Sequence, residues 1–204
     1  MLKFSLNHFI FFMLMGLALL LSGCQSQQYD YKGTAFDPPQ PLPDFELADV
    51  SGQPFRLSQV KGDIALVFFG YTHCPDACPL TMYEVKQTLA GLKQGKERVR
   101  VIFISVDPER DTPEVLGKYV AGFGPEFIGL TDEMNKVQTV MKPFGVMAEK
   151  DAGDDSAGGY IVAHSTRLFL VDPQGQLALT YGFGFKADDL RSDLEYLLQR
   201  TPAS

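Results

Sequence analysis

A short apolar run followed by two closely spaced cysteines constrains the fold of this chain more than any other feature. Residues 64–69 are continuously apolar and rich in β-branched and aromatic side chains, which is typical of a strand buried on both faces of a helix-covered sheet. From residue 75 to residue 92 the apolar side chains instead recur at helical spacing, and Pro75 suits a first helical turn. The sequence therefore predicts a buried strand, a turn that carries Cys74 and Cys78, and a helix.

Strand and helix patterns continue along the rest of the chain. A second buried strand is predicted at 99–106, and the remaining predicted elements are a front hairpin (45–47 and 54–57), helices at 113–122, 132–141 and 188–199, and strands at 144–149, 161–171 and 176–181. Thr131 or Asp132 is the expected N-cap of the 132–141 helix. This order predicts an α/β, thioredoxin-like fold, with a mixed β-sheet flanked by helices, an N-terminal β-hairpin and an extra helical insertion.

The spacing of Cys74 and Cys78 indicates a metal site more than ordinary thioredoxin chemistry. A C-x-x-C pair would be typical of a redox motif, whereas here three residues separate the cysteines. Positions i and i+4 lie above one another on a helix, so both sulfurs can face one ion. A helix N-terminus lowers a thiol pKa, and thiolates with imidazole select copper. A structural zinc site would need four protein ligands.

Two histidines compete for the place of third ligand. His73 adjoins Cys74, whereas His164 stands near the start of the predicted 161–171 strand. In a thioredoxin-like fold the loop before that strand faces the cysteine-bearing helix, at the place where thioredoxins have a cis-proline. We therefore predict one copper ion, Cu(I) or Cu(II), bound by Cys74, Cys78 and His164, with His73 as the alternative.

The N-terminus resembles a bacterial lipoprotein signal. Lys3 precedes an apolar run that ends in Leu-Ser-Gly-Cys at Cys24, and such a run is short for a membrane span. We predict a signal peptide over 1–23, lipidation of Cys24, a flexible tether over 24–42 and a single domain over 43–200. An uncleaved N-terminal anchor is the alternative. Either arrangement places the domain in the cell envelope, facing the periplasm or the extracytoplasmic space.

The charge balance argues against nucleic acids as partners. The net charge is −7, which repels the phosphates of nucleic acids. Acidic side chains also follow the second buried strand, where Asp107 and Asp111 flank Arg110. They are candidates for the rim of the copper site or a partner contact. An ordinary turn with helix capping by Asp111 or Thr112 is the alternative.

Three segments resemble the Sco/SenC family. Residues 69–79 look like its copper motif, residues 105–113 match its second signature, and residues 160–165 match its histidine-bearing loop. The resemblance implies a thioredoxin-like fold and copper ligands at Cys74, Cys78 and His164. It also implies a role in assembling the dinuclear copper centre of cytochrome c oxidase subunit II.

Two functions remain open on the sequence. The first is a copper metallochaperone, which is not an enzyme with turnover. The second is a thiol–disulfide oxidoreductase in the same compartment, with Cys74 and Cys78 as redox-active thiols that form a reversible disulfide bond. A pure reductase has no use for His164, so this residue distinguishes the two functions.

Overall fold

The apolar run after residue 63 forms a central strand of the sheet in the computed structural model, which describes residues 29–151 and 160–200. In that part of the chain the strands are β1 (Thr34–Pro41), β2 (Glu46–Ala48), β3 (Pro54–Arg56), β4 (Ile64–Gly70), β5 (Val99–Ser105), β6 (Phe127–Leu130), β7 (Ala148–Asp151), β8 (Ile161–His164), β9 (Leu168–Val171) and β10 (Gln176–Tyr181). The α-helices are α1 (Ala77–Gly91), α2 (Pro113–Ala121), α3 (Met134–Met141) and α4 (Ala187–Arg200). Short 3-10 turns cover Leu57–Val60, Lys96–Arg98 and Lys142–Phe144.

The main sheet is mixed, as predicted. Its six strands lie in the order β1-β10-β9-β4-β5-β6. Strands β4, β5 and β6 run parallel, whereas β9 and β10 are antiparallel to their neighbours. The front hairpin of β2 and β3 also forms as predicted. A parallel β4–β5 pair needs a crossover connection, and α1 supplies it.

Strands β4 and β5 are the centre of the hydrophobic core. Every residue of β4 is buried, and so is every residue of β5 except Arg100. The aromatic rings of Phe68 and Phe103 pack together from these two strands, with centroids 5.9 Å apart. This rigid centre fixes the carboxyl end of β4, from which the cysteine-bearing turn departs.

The tether prediction is wrong for residues 34–41. These residues form β1, which pairs antiparallel with β10 at the edge of the main sheet. An edge strand tolerates proline because one row of its backbone groups needs no partner, and the register shifts between Ala35 and Gln40. The buried carboxylate of Asp193 also accepts hydrogen bonds from the backbone of Lys32 and Gly33. The predicted signal peptide and Cys24 lie outside the described residues.

The predicted 161–171 strand is also wrong, because it is two strands in two sheets. β8 pairs with β7 in a separate two-stranded sheet, and β9 joins the main sheet between β4 and β10. The polar residues 165–167 interrupt the pattern: β8 has exposed positions, whereas every residue of β9 is buried. The break lets β8 pair in a different sheet from β9. β7 begins later than predicted, because Phe144 ends a 3-10 turn.

Two helices differ from the prediction in detail. Helix α3 begins after an N-cap at Glu133, while Asp132 accepts a hydrogen bond from the Glu133 backbone. In the apolar pattern that predicted α1, Val85 and Leu89 are buried as expected, whereas Leu80 and Tyr83 are about half exposed. Within the described ranges, none of the helices has the length and apolar character needed to cross a membrane.

Candidate metal centre

The turn after β4 places the two cysteines at the start of α1. Cys74 lies in the turn and is half-buried, and Cys78 lies in the first turn of the helix and is fully buried. The Cys78 backbone N–H donates to the Cys74 sulfur across 3.4 Å. The helix N-terminus thus points an otherwise unpaired N–H at this sulfur, which favours the thiolate. Neither Cys74 nor Cys78 is in a disulfide bond.

His164 reaches these sulfurs from the end of β8. Its Nε2 lies 3.5 Å from the Cys78 sulfur. Its Nδ1 lies 3.2 Å from the backbone carbonyl of Ser165. Because a carbonyl oxygen only accepts, Nδ1 donates its proton there, and in the neutral imidazole this leaves the lone pair of Nε2 facing the sulfurs. One ligand atom from each of Cys74, Cys78 and His164 lies within 4.8 Å of the other two.

Aromatic side chains hold the imidazole in this orientation. The His164 ring meets Phe68 and Tyr71 edge to face, with centroids 6.1 Å and 5.7 Å away. Both aromatic residues are buried. The imidazole is therefore braced by the core rather than mobile at the surface.

The two thiols differ sharply in acidity. A hydrogen bond from Cys78, followed by backbone N–H groups at the helix start, lowers the pKa of Cys74 to about 5. The same contact with Cys74, together with burial, raises the pKa of Cys78 far above its ordinary value. At neutral pH the pair is therefore one thiolate and one thiol. A soft cation has to displace the Cys78 proton to gain the second thiolate.

The reactivity of Cys74 with iodoacetamide should remain high at neutral pH and fall only as the pH drops through about 5. The lowered pKa keeps the thiolate above that pH, and the thiolate is the nucleophile. Mass spectrometry of the cysteine-bearing peptide after timed alkylation of the reduced, metal-free chain measures the rate.

The Cys78→Ala and Cys78→Ser variants provide the control for this pH profile. Alanine removes the S–H donor, so the midpoint should rise toward the ordinary thiol value of about 8.5, whereas serine retains an O–H donor and should shift it less. A midpoint above about 8 in the unsubstituted chain would contradict the pairing.

Gly70 allows the Cys78 sulfur to lie directly against the end of β4. A Cβ atom at Gly70 would lie 2.9 Å from the Cys78 sulfur and 2.7 Å from the Phe68 ring. It would also lie 2.9 Å from the Phe103 ring, and all three side chains are fully buried. The absence of a side chain at residue 70 therefore determines where the sulfur sits.

The Gly70→Ala variant should lose about 2 kcal/mol of unfolding free energy, the usual cost of overpacking a core. It should also bind Cu(I) more weakly, because the Cys78 sulfur must shift. Gly182→Ala is the matched control, since no atom lies within 4 Å of its added Cβ. Urea unfolding of the reduced, metal-free chain measures the difference, and equal stability of the two variants would refute the close packing.

Asp107 and Asp111 do not form an exposed rim, since both are fully buried. Asp111 accepts hydrogen bonds from the backbone and hydroxyl of Thr72 and from the hydroxyl of Ser105. It thereby fixes the turn before Cys74 to the end of β5. The cap of α2 is Thr112, whose hydroxyl accepts from the backbone of Val115.

His73 lies outside the three-residue group. Its side chain is about half exposed, and its Nδ1 lies 3.1 Å from the Thr72 hydroxyl and 3.7 Å from Asp111. In the described part of the chain, Cys74, Cys78 and His164 are the group of side chains able to hold a metal ion. The geometry favours His164 over His73 as a third ligand.

Sequence reasoning missed Gly70, Tyr71 and Tyr160. Tyr71 braces the imidazole, and the Tyr160 hydroxyl donates to Asp107 across 2.6 Å. The sequence did indicate these residues indirectly, because all three lie within the segments that resemble the Sco/SenC motifs, residues 69–79 and 160–165.

Comparisons with known proteins agree on one family. The family model described as SCO1/SenC matches residues 35–199. The SCO2-like protein of Rickettsia felis is 38% identical over 133 residues, a match that covers 65% of this chain and 65% of that protein. The match thus spans slightly less than two thirds of the relative's length.

Solved structures show the same architecture. Apo Sco1 from Thermus thermophilus is 38% identical with a TM-score of 0.75, and the match covers 84% of this chain and 99% of that one. ScoI from Arabidopsis thaliana, solved with copper bound, is 30% identical with a TM-score of 0.71 and coverage of 78% and 98%. These matches confirm the thioredoxin-like fold predicted from the order of elements.

Proposed function

Because this chain belongs to the SCO1/SenC family, we propose that it is a copper metallochaperone that holds one copper ion through Cys74, Cys78 and His164. The observation that carries the proposal is the convergence of the two sulfurs and one imidazole nitrogen within 4.8 Å. Copper is the cargo of this site rather than a resident cofactor.

The donor set fits copper better than its competitors. Two thiolates and one imidazole are soft and intermediate ligands, which suit Cu(I), and an added oxygen ligand would suit Cu(II). Hard cations prefer oxygen donors, and structural zinc prefers four protein ligands. The copper-bound ScoI structure of a relative agrees with this choice.

The exposure of the three ligands suits delivery rather than storage. Cys78 is fully buried, whereas Cys74 and His164 are partly exposed. A partner can therefore reach the ion from the side of Cys74 and His164, while Cys78 holds it from below. We propose that the partner is cytochrome c oxidase subunit II, whose dinuclear copper centre receives the ion.

We also propose that a lipid on Cys24 holds the domain at a membrane of the cell envelope. The support is the Leu-Ser-Gly-Cys sequence that ends at residue 24 after a short apolar run. Several long acyl chains bind a membrane durably, since each buried CH₂ contributes about 0.8 kcal/mol.

The asymmetry of the two thiols favours a second function, thiol–disulfide exchange. In that reaction the Cys74 thiolate attacks a partner disulfide, and one partner sulfur leaves as a thiolate. Cys78 then attacks the mixed disulfide after losing its proton, which leaves a Cys74–Cys78 disulfide and a reduced partner. The low pKa of Cys74 and the buried position of Cys78 suit these two roles.

One transfer experiment separates the two functions. The full chain, loaded anaerobically with Cu(I), is mixed with the metal-free copper domain of oxidase subunit II in either its dithiol or its disulfide form. Copper appearing on the dithiol form supports the metallochaperone. Reduction of the disulfide form by the metal-free chain, without copper transfer, would support the reductase instead.

A further inference from the structure

The hairpin that carries His164 is attached to the domain at its far end by a small polar cluster. β7 and β8 pair only with each other, with Ala148 opposite His164 and Asp151 opposite Ile161. Tyr160 directly precedes β8, and Lys150 lies on β7. Because the hairpin shares no ladder with the main sheet, side-chain contacts have to fix its position.

Tyr160 makes several of these contacts. Its hydroxyl donates to Oδ1 of Asp107 across 2.6 Å, and Asp107 is fully buried. Arg110 Nε donates to the other carboxylate oxygen. The Arg110 guanidinium also lies 3.7 Å from the centre of the Tyr160 ring. Tyr160 is therefore held at its hydroxyl and on its ring face by one turn, residues 107–110.

Arg110 links this cluster to the metal site. Its guanidinium carbon is 5.6 Å from the Tyr71 ring centre, and Tyr71 packs edge to face on His164. The Nη2 of Arg110 is buried and has no hydrogen-bond partner among the described residues. The carboxylate of Asp107 and the two aromatic rings therefore set the orientation of this guanidinium.

The contact on the other strand is weaker. Lys150 pairs with Glu109 across 2.5 Å, and both side chains are exposed. The Lys150 ammonium also lies 4.8 Å from the centre of the Tyr160 ring. Exposed ion pairs contribute little, whereas a hydrogen bond to a buried carboxylate contributes much more. The position of the hairpin thus depends on Tyr160 far more than on Lys150.

We propose that Tyr160, held by Asp107 and Arg110, is a positioning residue that keeps His164 over the two sulfurs. The proposal rests on the proposed copper site. In this proposal the 105–113 and 160–165 segments act together to position His164, because the Tyr160 hydroxyl of one segment donates to the Asp107 carboxylate of the other.

The test compares Cu(I) affinities of the reduced full chain measured against a competing chelator. Tyr160→Phe keeps the ring and removes the hydroxyl, and it should weaken binding about 10-fold, as supporting partners of metal ligands do. Tyr160→Ala also removes the stacked ring and should weaken binding about 100-fold. Glu109→Gln is the matched control and should stay within about twofold, because it alters only the exposed pair.

A double variant shows whether the effect passes through His164. In a His164→Ala background, Tyr160→Phe should cause no further loss of affinity. An equal loss in both backgrounds would overturn the proposal, because Tyr160 would then act on the thiols or on the fold in general.

Amide hydrogen exchange of the metal-free chain gives a readout that needs no copper. Tyr160→Phe should speed exchange in β7 and β8 and leave β4 unchanged. Unchanged exchange in the hairpin would refute the positioning role even if copper binds. If Tyr160→Phe speeds exchange in the hairpin but the unsubstituted chain binds no copper, the positioning role is supported and the proposed function is refuted.

Discussion

Replacing His164 with alanine is expected to lower the affinity of the reduced chain for Cu(I) by more than about 100-fold. Groups that merely support a metal ligand are worth about 10–100-fold in affinity, and His164 is proposed to be a ligand itself. Its Nε2 lies 3.5 Å from the Cys78 sulfur with the lone pair directed at the thiols. Competition with a Cu(I) chelator measures the affinity.

His73→Ala is the matched control for this experiment. His73 adjoins Cys74 in sequence, but its side chain is about half exposed and turned toward Thr72. Its removal should change the affinity by less than about twofold, as expected for a side chain outside the coordination sphere. The His164→Ala chain should still reduce a disulfide substrate, since both thiols remain. Copper affinity equal to that of the unsubstituted chain would show that the ligand assignment is wrong.

Replacing Asp111 with alanine is expected to lower the unfolding free energy by about 3 kcal/mol. The carboxylate is fully buried and accepts from the Thr72 backbone, the Thr72 hydroxyl and the Ser105 hydroxyl. Each buried donor left without an acceptor costs about 1–3 kcal/mol. Urea unfolding of the reduced, metal-free chain measures this loss independently of copper.

Glu114→Gln is the control for the Asp111 variant, because it removes only an exposed ion pair with Lys118. That change should cost less than about 0.5 kcal/mol. Asp111→Ala should also weaken copper binding, since Thr72 belongs to the turn that positions Cys74. A loss of less than about 1 kcal/mol would mean that Asp111 does not anchor this turn.

The local elements of this fold were predictable because each has a sequence pattern of its own, either an apolar run or a regular spacing of apolar residues. β4 is a continuous apolar run, and β5 is apolar except for Arg100 and Ser105. Both strands form where the sequence placed them, and all their residues except Arg100 are buried. The turn between β9 and β10 forms at residues 172–175, where the Pro-Gln-Gly sequence is typical of a turn. These patterns depend on neighbours in the chain, so no tertiary information was needed.

The errors arose where tertiary contacts override the local pattern. Residues 34–41 look like a proline-rich tether, but the free edge of β10 gives them a partner. The 161–171 segment looks like one strand, but its first half pairs with β7. In both cases the partner strand lies elsewhere in the sequence, so the composition of the segment alone cannot predict the pairing.

The candidate site shows the same division. Cys74, Cys78 and His164 were predicted from spacing and from the position expected in the fold. The supporting residues were not, because Thr72 meets Asp111 across 39 positions of sequence and Tyr160 meets Asp107 across 53. Such contacts form only once the sheet has brought the segments together.

X-ray absorption at the copper edge of the reduced chain, loaded with one equivalent of Cu(I), tests the copper site most directly. The proposed site predicts two sulfur ligands and one nitrogen ligand, and the loss of that nitrogen in the His164→Ala variant. A first shell without sulfur, or a nitrogen that persists in the variant, would contradict it.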